Sequence, residues 1–134
     1  MEALLSVRNL SIGIRKGKQL LSSVEDLSFD IYPGEILGIV GESGSGKSLT
    51  ALSIAGLLGT EGSIGGNKEI TGGSILFQEK GNVSGGITTA RDLLTLPEKE
   101  LQSIRGKEIS IVFQEPFSSL NPLVKVGAQI AETL

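Results

Sequence analysis

One stretch of the chain concentrates residues able to do chemistry: Gly41-Glu42-Ser43-Gly44-Ser45-Gly46-Lys47-Ser48. It fits the pattern G-x-x-x-x-G-K-[ST], and each residue type has a reason to be there if the ligand is a polyphosphate. A phosphate chain carries several negative charges and needs donors at close range. Gly41, Gly44 and Gly46 have no side chains, so the backbone can wrap an anion with its N–H groups turned inward. A helix starting near Lys47 adds unpaired amides and the positive end of its dipole. Lys47 brings a full charge to the terminal phosphates, and the Ser48 hydroxyl is a hard oxygen ligand suited to Mg²⁺. The competing reading of a glycine-rich strand-to-helix loop is a dinucleotide-binding turn. Here the spacing is G-x-x-G-x-G rather than G-x-G-x-x-G, and Gly46-Lys47-Ser48 lies outside that fingerprint.

Such a loop has to be held between a strand and a helix, and the flanking sequence offers both. Ile36-Leu37-Gly38-Ile39-Val40 is a nearly unbroken apolar run, the pattern of a strand buried on both faces of a parallel sheet. Leu49 to Leu58 reads as a mostly buried helix of about three turns that ends near Gly59. Upstream, Leu4 to Ile14 holds two apolar stretches, Arg15-Lys16-Gly17-Lys18 is a polar turn, and Leu27, Phe29 and Ile31 alternate with Asp26, Ser28 and Asp30 at the period of a half-buried strand. Tyr32-Pro33-Gly34-Glu35 closes that strand with turn chemistry. From Gly59 to about Gly86 the chain is rich in Gly, Ser, Asn and Thr, which predicts surface loops and edge strands, with a short strand at Ser74 to Phe77. Thr95, with Glu98 three residues on, reads as a capping box for a helix running to about Arg105 and stopped by Gly106. Ile109 to Phe113 is a second buried-strand candidate leading into Gln114. Asn121-Pro122 marks a turn, and a further helix opens at Gly127.

Composition narrows the choice of chemistry. The 134 residues suffice for one domain, and 39% hydrophobic with 20% charged residues is a globular balance. A net charge of −3 with no basic block offers no nucleic-acid footprint. With no Cys and no His there is no disulfide framework, thiolate or imidazole metal site, or imidazole general base. No apolar run approaches the roughly 18 residues of a membrane span. Met1 to Ser6 carries no secretory signal. These features predict an intracellular chain with no nucleic-acid partner and no direct membrane insertion.

Two longer stretches resemble the ATP-binding subunits of ABC transporters, most closely those that energise oligopeptide, dipeptide or nickel uptake. One runs from Gly34 to Ser48 and is shared across these ATPases. The other runs from Ile109 to Pro122 and contains Ser119-Leu120-Asn121-Pro122, the more specific signal; Arg105-Gly106 ahead of it also fits that branch. The resemblance covers nearly the whole chain, as the N-terminal part of such a subunit. It implies an α/β P-loop nucleoside triphosphatase, truncated, with an antiparallel β subdomain in residues 1–35. Residues 36–58 would then hold the strand, phosphate loop and helix, and 59–108 a β-rich and loop region with a short helix. Residues 109–134 would hold the Q-loop strand and the start of a helical subdomain. The resemblance implies ATP and Mg²⁺ as cofactors, with Gly41, Glu42, Ser43, Gly44, Ser45, Gly46, Lys47, Ser48, Leu49 and Gln114 as nucleotide contacts. Ser48 and Gln114 would lie at the metal. It implies as partners a second ATP-binding subunit and membrane permeases, which would hold the protein on the inner face of the cell membrane.

The match has departures. Leu10 to Val24 contains no aromatic residue, and Ile14 stands where the family stacks one on adenine. Gln78 to Gly86 reads as extra loop. The acidic strand, the Leu-Ser-Gly-Gly-Gln signature and the switch histidine are absent. Val83-Ser84-Gly85-Gly86-Ile87 imitates the signature but reads as a glycine-rich turn, and Gln114 stands where the acidic strand would carry Asp. Water-orienting and charge-stabilising groups are each worth about 10³-fold or more in phosphoryl transfer, so these residues alone should bind nucleotide without useful turnover. The expectation is the N-terminal piece of a longer ATPase subunit, its two apolar strands left without partners. Two other classes remain open. One is a stand-alone P-loop kinase or GTPase, for which Asn67-Lys68-Glu69-Ile70 comes near a guanine-reading loop but lacks its Asp. The other is a module in which nucleotide binding alone is the function.

Overall fold

The computed structural model describes residues 2–58, 66–84, 87–115 and 120–132. Strands β1 (Leu5–Lys16) and β2 (Gln19–Ile31) fold back on each other across Gly17 and Lys18. Strand β3 (Lys68–Ser84) lies on the other side of β1, and β4 (Ile87–Asp92) lies outside β3. The sheet is antiparallel throughout, in the order β2-β1-β3-β4. Helices α1 (Lys47–Ile54), α2 (Glu98–Ile104) and α3 (Val126–Ala131) complete the described elements.

The sequence of β1 explains its central place. Leu5 and Val7 face the core on odd positions, Leu10 and Ile12 on even ones, and all four are buried. A strand with a strict period of two cannot do this, because a one-residue slip turns every side chain to the other face. The register absorbs the slip in bulges, one between Val7 and Leu10 on β1 and a compensating one between Leu27 and Val24 on β2. Asn9 and Asp26 take left-handed backbone there, with their side chains hydrogen-bonded to each other. Around β1 the core gathers Val24, Ile75, Phe77, Leu93, Leu101 and Ile104, with Leu49 and Leu58 from the α1 region packed against it. Leu27, Phe29 and Ile31 are half-buried, as their alternation predicts.

Several expectations need correction. Residues 59–86 were expected to give loops and edge strands. Instead β3 is an inner strand of 17 residues, and Gln78 to Ser84, expected as extra loop, continue it and pair with β4. Small and polar residues are tolerated in β3 because a ladder holds it along its length, β1 pairing with Lys68 to Phe77 and β4 with Leu76 to Ser84. Of the signature-like segment, Val83 and Ser84 end β3 and Ile87 opens β4 opposite Ser84, and Gly85 and Gly86, read as a turn, lie outside the described residues. Thr95 does not cap α2; its hydroxyl donates to Asp92 O at 3.0 Å, and Pro97 occupies the N-cap. The stop at Gly106 is where expected, with φ at +78°.

Neither apolar run joins the sheet. Residues 36–40 have no regular structure, and Ile36 and Val40 are each 97% exposed. In 109–113 only Ile109 packs against the core, through a single bridge to Arg105, and Val112 is 89% exposed. A strand buried on both faces is stable only with a neighbour on each side. No described strand lies beside either run. The parallel α/β core expected from the sequence is therefore not formed among the described residues.

Candidate phosphate-binding site

The loop between the apolar run and α1 is shaped by three local features. Ser45 N–H donates to Glu42 O at 3.2 Å and closes a turn. Gly44 and Gly46 both take left-handed backbone, φ +82° and +92°, on either side of Ser45. Gly46 is also buried against β2: a Cβ built there would lie 2.4 Å from Val24 Cγ2. Only glycine meets both demands. Its carbonyl accepts from the Thr50 amide at 2.9 Å and the Thr50 hydroxyl at 3.0 Å, which anchors the loop to α1. No side chain caps the start of α1, so its first-turn amides are left for a ligand.

Lys47 is drawn into the loop. Its ammonium donates to Gly41 O at 2.6 Å, Glu42 O at 2.7 Å and Ser45 Oγ at 3.2 Å. A lysine has three donors, so these contacts employ all of them. Each acceptor is a neutral oxygen, and a phosphate oxygen would be a stronger partner for the same charge.

A cleft of about 490 Å³ opens beside the loop, lined by Ser43 to Leu49. Its other walls are Ile14, Ser23, Lys68 and Gln114. The structure thus brings Gln114 to the same cleft as Lys47 and Ser48, although the run before Gln114 is not a strand. Gly41 and Glu42 do not line the cleft; their carbonyls hold the lysine. Ser23, Ser43, Ser45 and Ser48 bring hydroxyls to the cleft and Gln114 an amide, so neutral oxygens are part of its lining. A second cavity of about 530 Å³ lies between α1, β3 and α2. Leu58, Leu93, Leu94, Leu96 and Leu101 line it, with Glu69 its one charged residue, so it suits no anion.

The far end of α1 is held by a residue that sequence reasoning took only as a mark of the transporter branch. Arg105 Nε donates to Ala55 O at 3.0 Å and Nη2 donates to Gly56 O, while Nη1 donates to Glu98 Oε1 at 2.6 Å. A cation thus satisfies carbonyls that α1 leaves open at its C-terminus. This also explains why α1 ends at Ile54 rather than near Gly59: Gly56 turns left-handed at φ +65°, and the guanidinium replaces the next turn. The Arg105 hydrogen bond holds the Glu98 carboxyl below the usual carboxylate range. The only signal in the sequence was an arginine closing a short helix that opens with Glu98.

With this geometry in view, the comparison with known proteins is direct. The sequence model of the ABC transporter family matches residues 24–132, most of the chain, and the chain belongs to that family. Among relatives, the oligopeptide transport ATP-binding protein OppD of Escherichia coli is 41% identical over 133 residues, 99% of this chain and 34% of its own length. The dipeptide transport ATP-binding protein DppD of Bacillus subtilis is 42% identical over 134 residues, 100% of this chain and 35% of its own length. The peptidoglycan transport ATP-binding protein YejF of Agrobacterium fabrum is 44% identical over 133 residues, 99% of this chain and 21% of its own length. The chain thus spans about a third of the length of the first two.

Proposed function

We propose that the loop from Gly41 to Leu49, with Gln114, binds Mg·ATP, and that the protein is an ATP-binding subunit of a peptide importer. The observation that carries this reading is the shared cleft. Ser43 to Leu49 and Gln114, far apart in sequence, line one space that holds a lysine, a hydroxyl and the open end of a helix. The names of the relatives supply the substrate class.

In this reading the triphosphate displaces the loop's own oxygens from the Lys47 ammonium and takes their place. The amides of the first turn of α1 bind the phosphate oxygens, and Gly44 and Gly46 keep the backbone close to them. Magnesium, when bound, neutralises phosphate charge; Ser48 and Gln114 are the residues that would hold it. Residues 1–134 contain no histidine, and the sequence lacks the acidic strand and the signature. They bind and orient the nucleotide rather than cleave it, and turnover belongs to the intact subunit paired with a second one. Among the described residues no helix is long and apolar enough to cross a membrane; in this reading permease subunits hold the protein on the inner face.

Equilibrium binding of Mg·ATP to Lys47→Ala is the test. The variant should lose at least tenfold in affinity, about the worth of one charge-assisted contact, with an unchanged circular dichroism spectrum. Unaltered affinity would refute the role given to the lysine.

A further inference from the structure

We propose that Lys68 is a specificity-determining residue of this cleft, holding the nucleoside end of the ligand while Lys47 holds the phosphates. This rests on the nucleotide reading above and extends it to a residue that the phosphate-loop pattern does not include.

Lys68 opens β3 directly opposite Ile14 of β1, so the two side chains share one face of the sheet. Both line the cleft. The opening of β3 is fixed in place: Arg15 N–H donates to Asn67 O at 2.7 Å, and Asn67 Nδ2 donates to Arg15 O at 2.8 Å. Asn67 is thereby occupied, and the neighbouring Glu69, opposite Gly13, reaches diagonally to an ion pair with Arg15. Lys68 itself is half-buried, and among the described residues its ammonium has no ion pair or side-chain hydrogen bond. Among the described residues no carboxylate lines the cleft. A half-buried ammonium without a counter-charge marks a place for an anion or an electron-rich ligand group.

Position within the cleft decides which. Lys47 is committed to the loop through Gly41, Glu42 and Ser45. Ile14, Ser23 and Lys68 form the sheet wall instead, contributed by β1, β2 and β3. A triphosphate at the start of α1 leaves this wall to the nucleoside. Ile14 supplies apolar contact to one part of a base, and the Lys68 ammonium supplies a donor to ribose or base acceptors and attraction to the ring face. The pair does by aliphatic packing and charge what a stacked aromatic ring would do, in a segment (Leu10 to Val24) that has no aromatic residue.

The test compares Mg·ATP with magnesium tripolyphosphate, which has the tail but no nucleoside. Equilibrium binding of both is measured on the full chain, on Lys68→Met, which keeps the apolar stem and removes the charge, and on Lys68→Arg. Lys68→Met should weaken ATP by roughly 5- to 10-fold and tripolyphosphate by less than about twofold, with Lys68→Arg near the parent for both. Equal weakening of both ligands would assign Lys68 to the phosphate tail and overturn the proposal. So would unchanged ATP affinity in Lys68→Met. Lys47→Ala separates the two levels: it should weaken both ligands. If it weakens neither, the nucleotide reading fails together with the role of Lys68; if it weakens both while Lys68→Met changes nothing, only the role of Lys68 fails.

Discussion

Alanine in place of Gly46 puts a methyl group where two constraints meet, and the structure allows them to be weighed separately. The backbone at Gly46 has φ +92°, a conformation that costs an L-residue with a Cβ about 1–2 kcal/mol. The new Cβ would also lie 2.4 Å from Val24 Cγ2, an overlap that forces a shift worth roughly 1–3 kcal/mol. The sum is about 2–5 kcal/mol, a large share of a domain's stability. Only the second part depends on Val24. Shortening Val24 to alanine removes Cγ2 and leaves Val24 Cβ as the nearest atom of that side chain, at 3.8 Å, an ordinary contact. In a Val24→Ala background, Gly46→Ala should therefore cost only the backbone part, and the double-mutant cycle should give a coupling of about 1–3 kcal/mol. Urea unfolding followed by circular dichroism measures the four proteins, since the chain has no tryptophan. Equal losses in both backgrounds would mean that Gly46 is not pressed against β2. A loss below about 0.5 kcal/mol in the parent would refute the reasoning for the glycine altogether.

Arg105→Ala should destabilise the protein by about 2–4 kcal/mol, because it strips charged donors from the part-buried carbonyls of Ala55 and Gly56; Arg105→Lys should recover only part of this, and full recovery by lysine would show that the forked geometry is unimportant. Stability should be flat above the ordinary carboxylate range and fall as pH drops below roughly 4, because Asp30 is held low by the Ser6 hydroxyl and the Arg8 guanidinium, and Glu98 by Arg105. A depressed carboxyl contributes only while ionised, so Asp30→Asn with Glu98→Gln should flatten the acid limb of a pH–stability curve, and an unchanged limb would contradict this. Residues 1–134 expressed as such should self-associate through Ile36, Val40 and Val112, and lysine at the three positions should restore a monomer by sedimentation; a monodisperse parent would contradict the role given to these exposed apolar side chains.

What could be read from residues alone divides by how local its cause is. The turns of residues 41–48 and the lysine drawn into them were legible because glycine, lysine and serine at fixed spacing act through their own backbone and side chains, and the turn at Asn121-Pro122 likewise shows Leu123 N–H bonded to Asn121 Oδ1 at 2.9 Å. The alternation of Leu27, Phe29 and Ile31 was legible because one face is buried. The placement of β3 was not. Its Gly, Thr and Ser content reads as loop until β1 supplies a ladder along its first part and β4 along its second. The runs 36–40 and 109–113 failed for the opposite reason: their composition asks for a two-sided burial that no described element provides. Arg105 acts through Ala55 and Gly56, and Lys68 is placed opposite Ile14, pairings distant in sequence that no local pattern encodes. Thr95 was misread because a hydroxyl three residues before a glutamate also fits a turn closed on Asp92.

The most direct measurement is hydrogen–deuterium exchange of the full chain with and without saturating Mg·ATP. Slowed exchange concentrated in the amides of Ser43 to Leu49, with a smaller effect around Gln114, is the predicted result. Protection centred on the leucine-lined cavity between α1 and α2, or no protection at any segment, would contradict a polyphosphate seated at the start of α1.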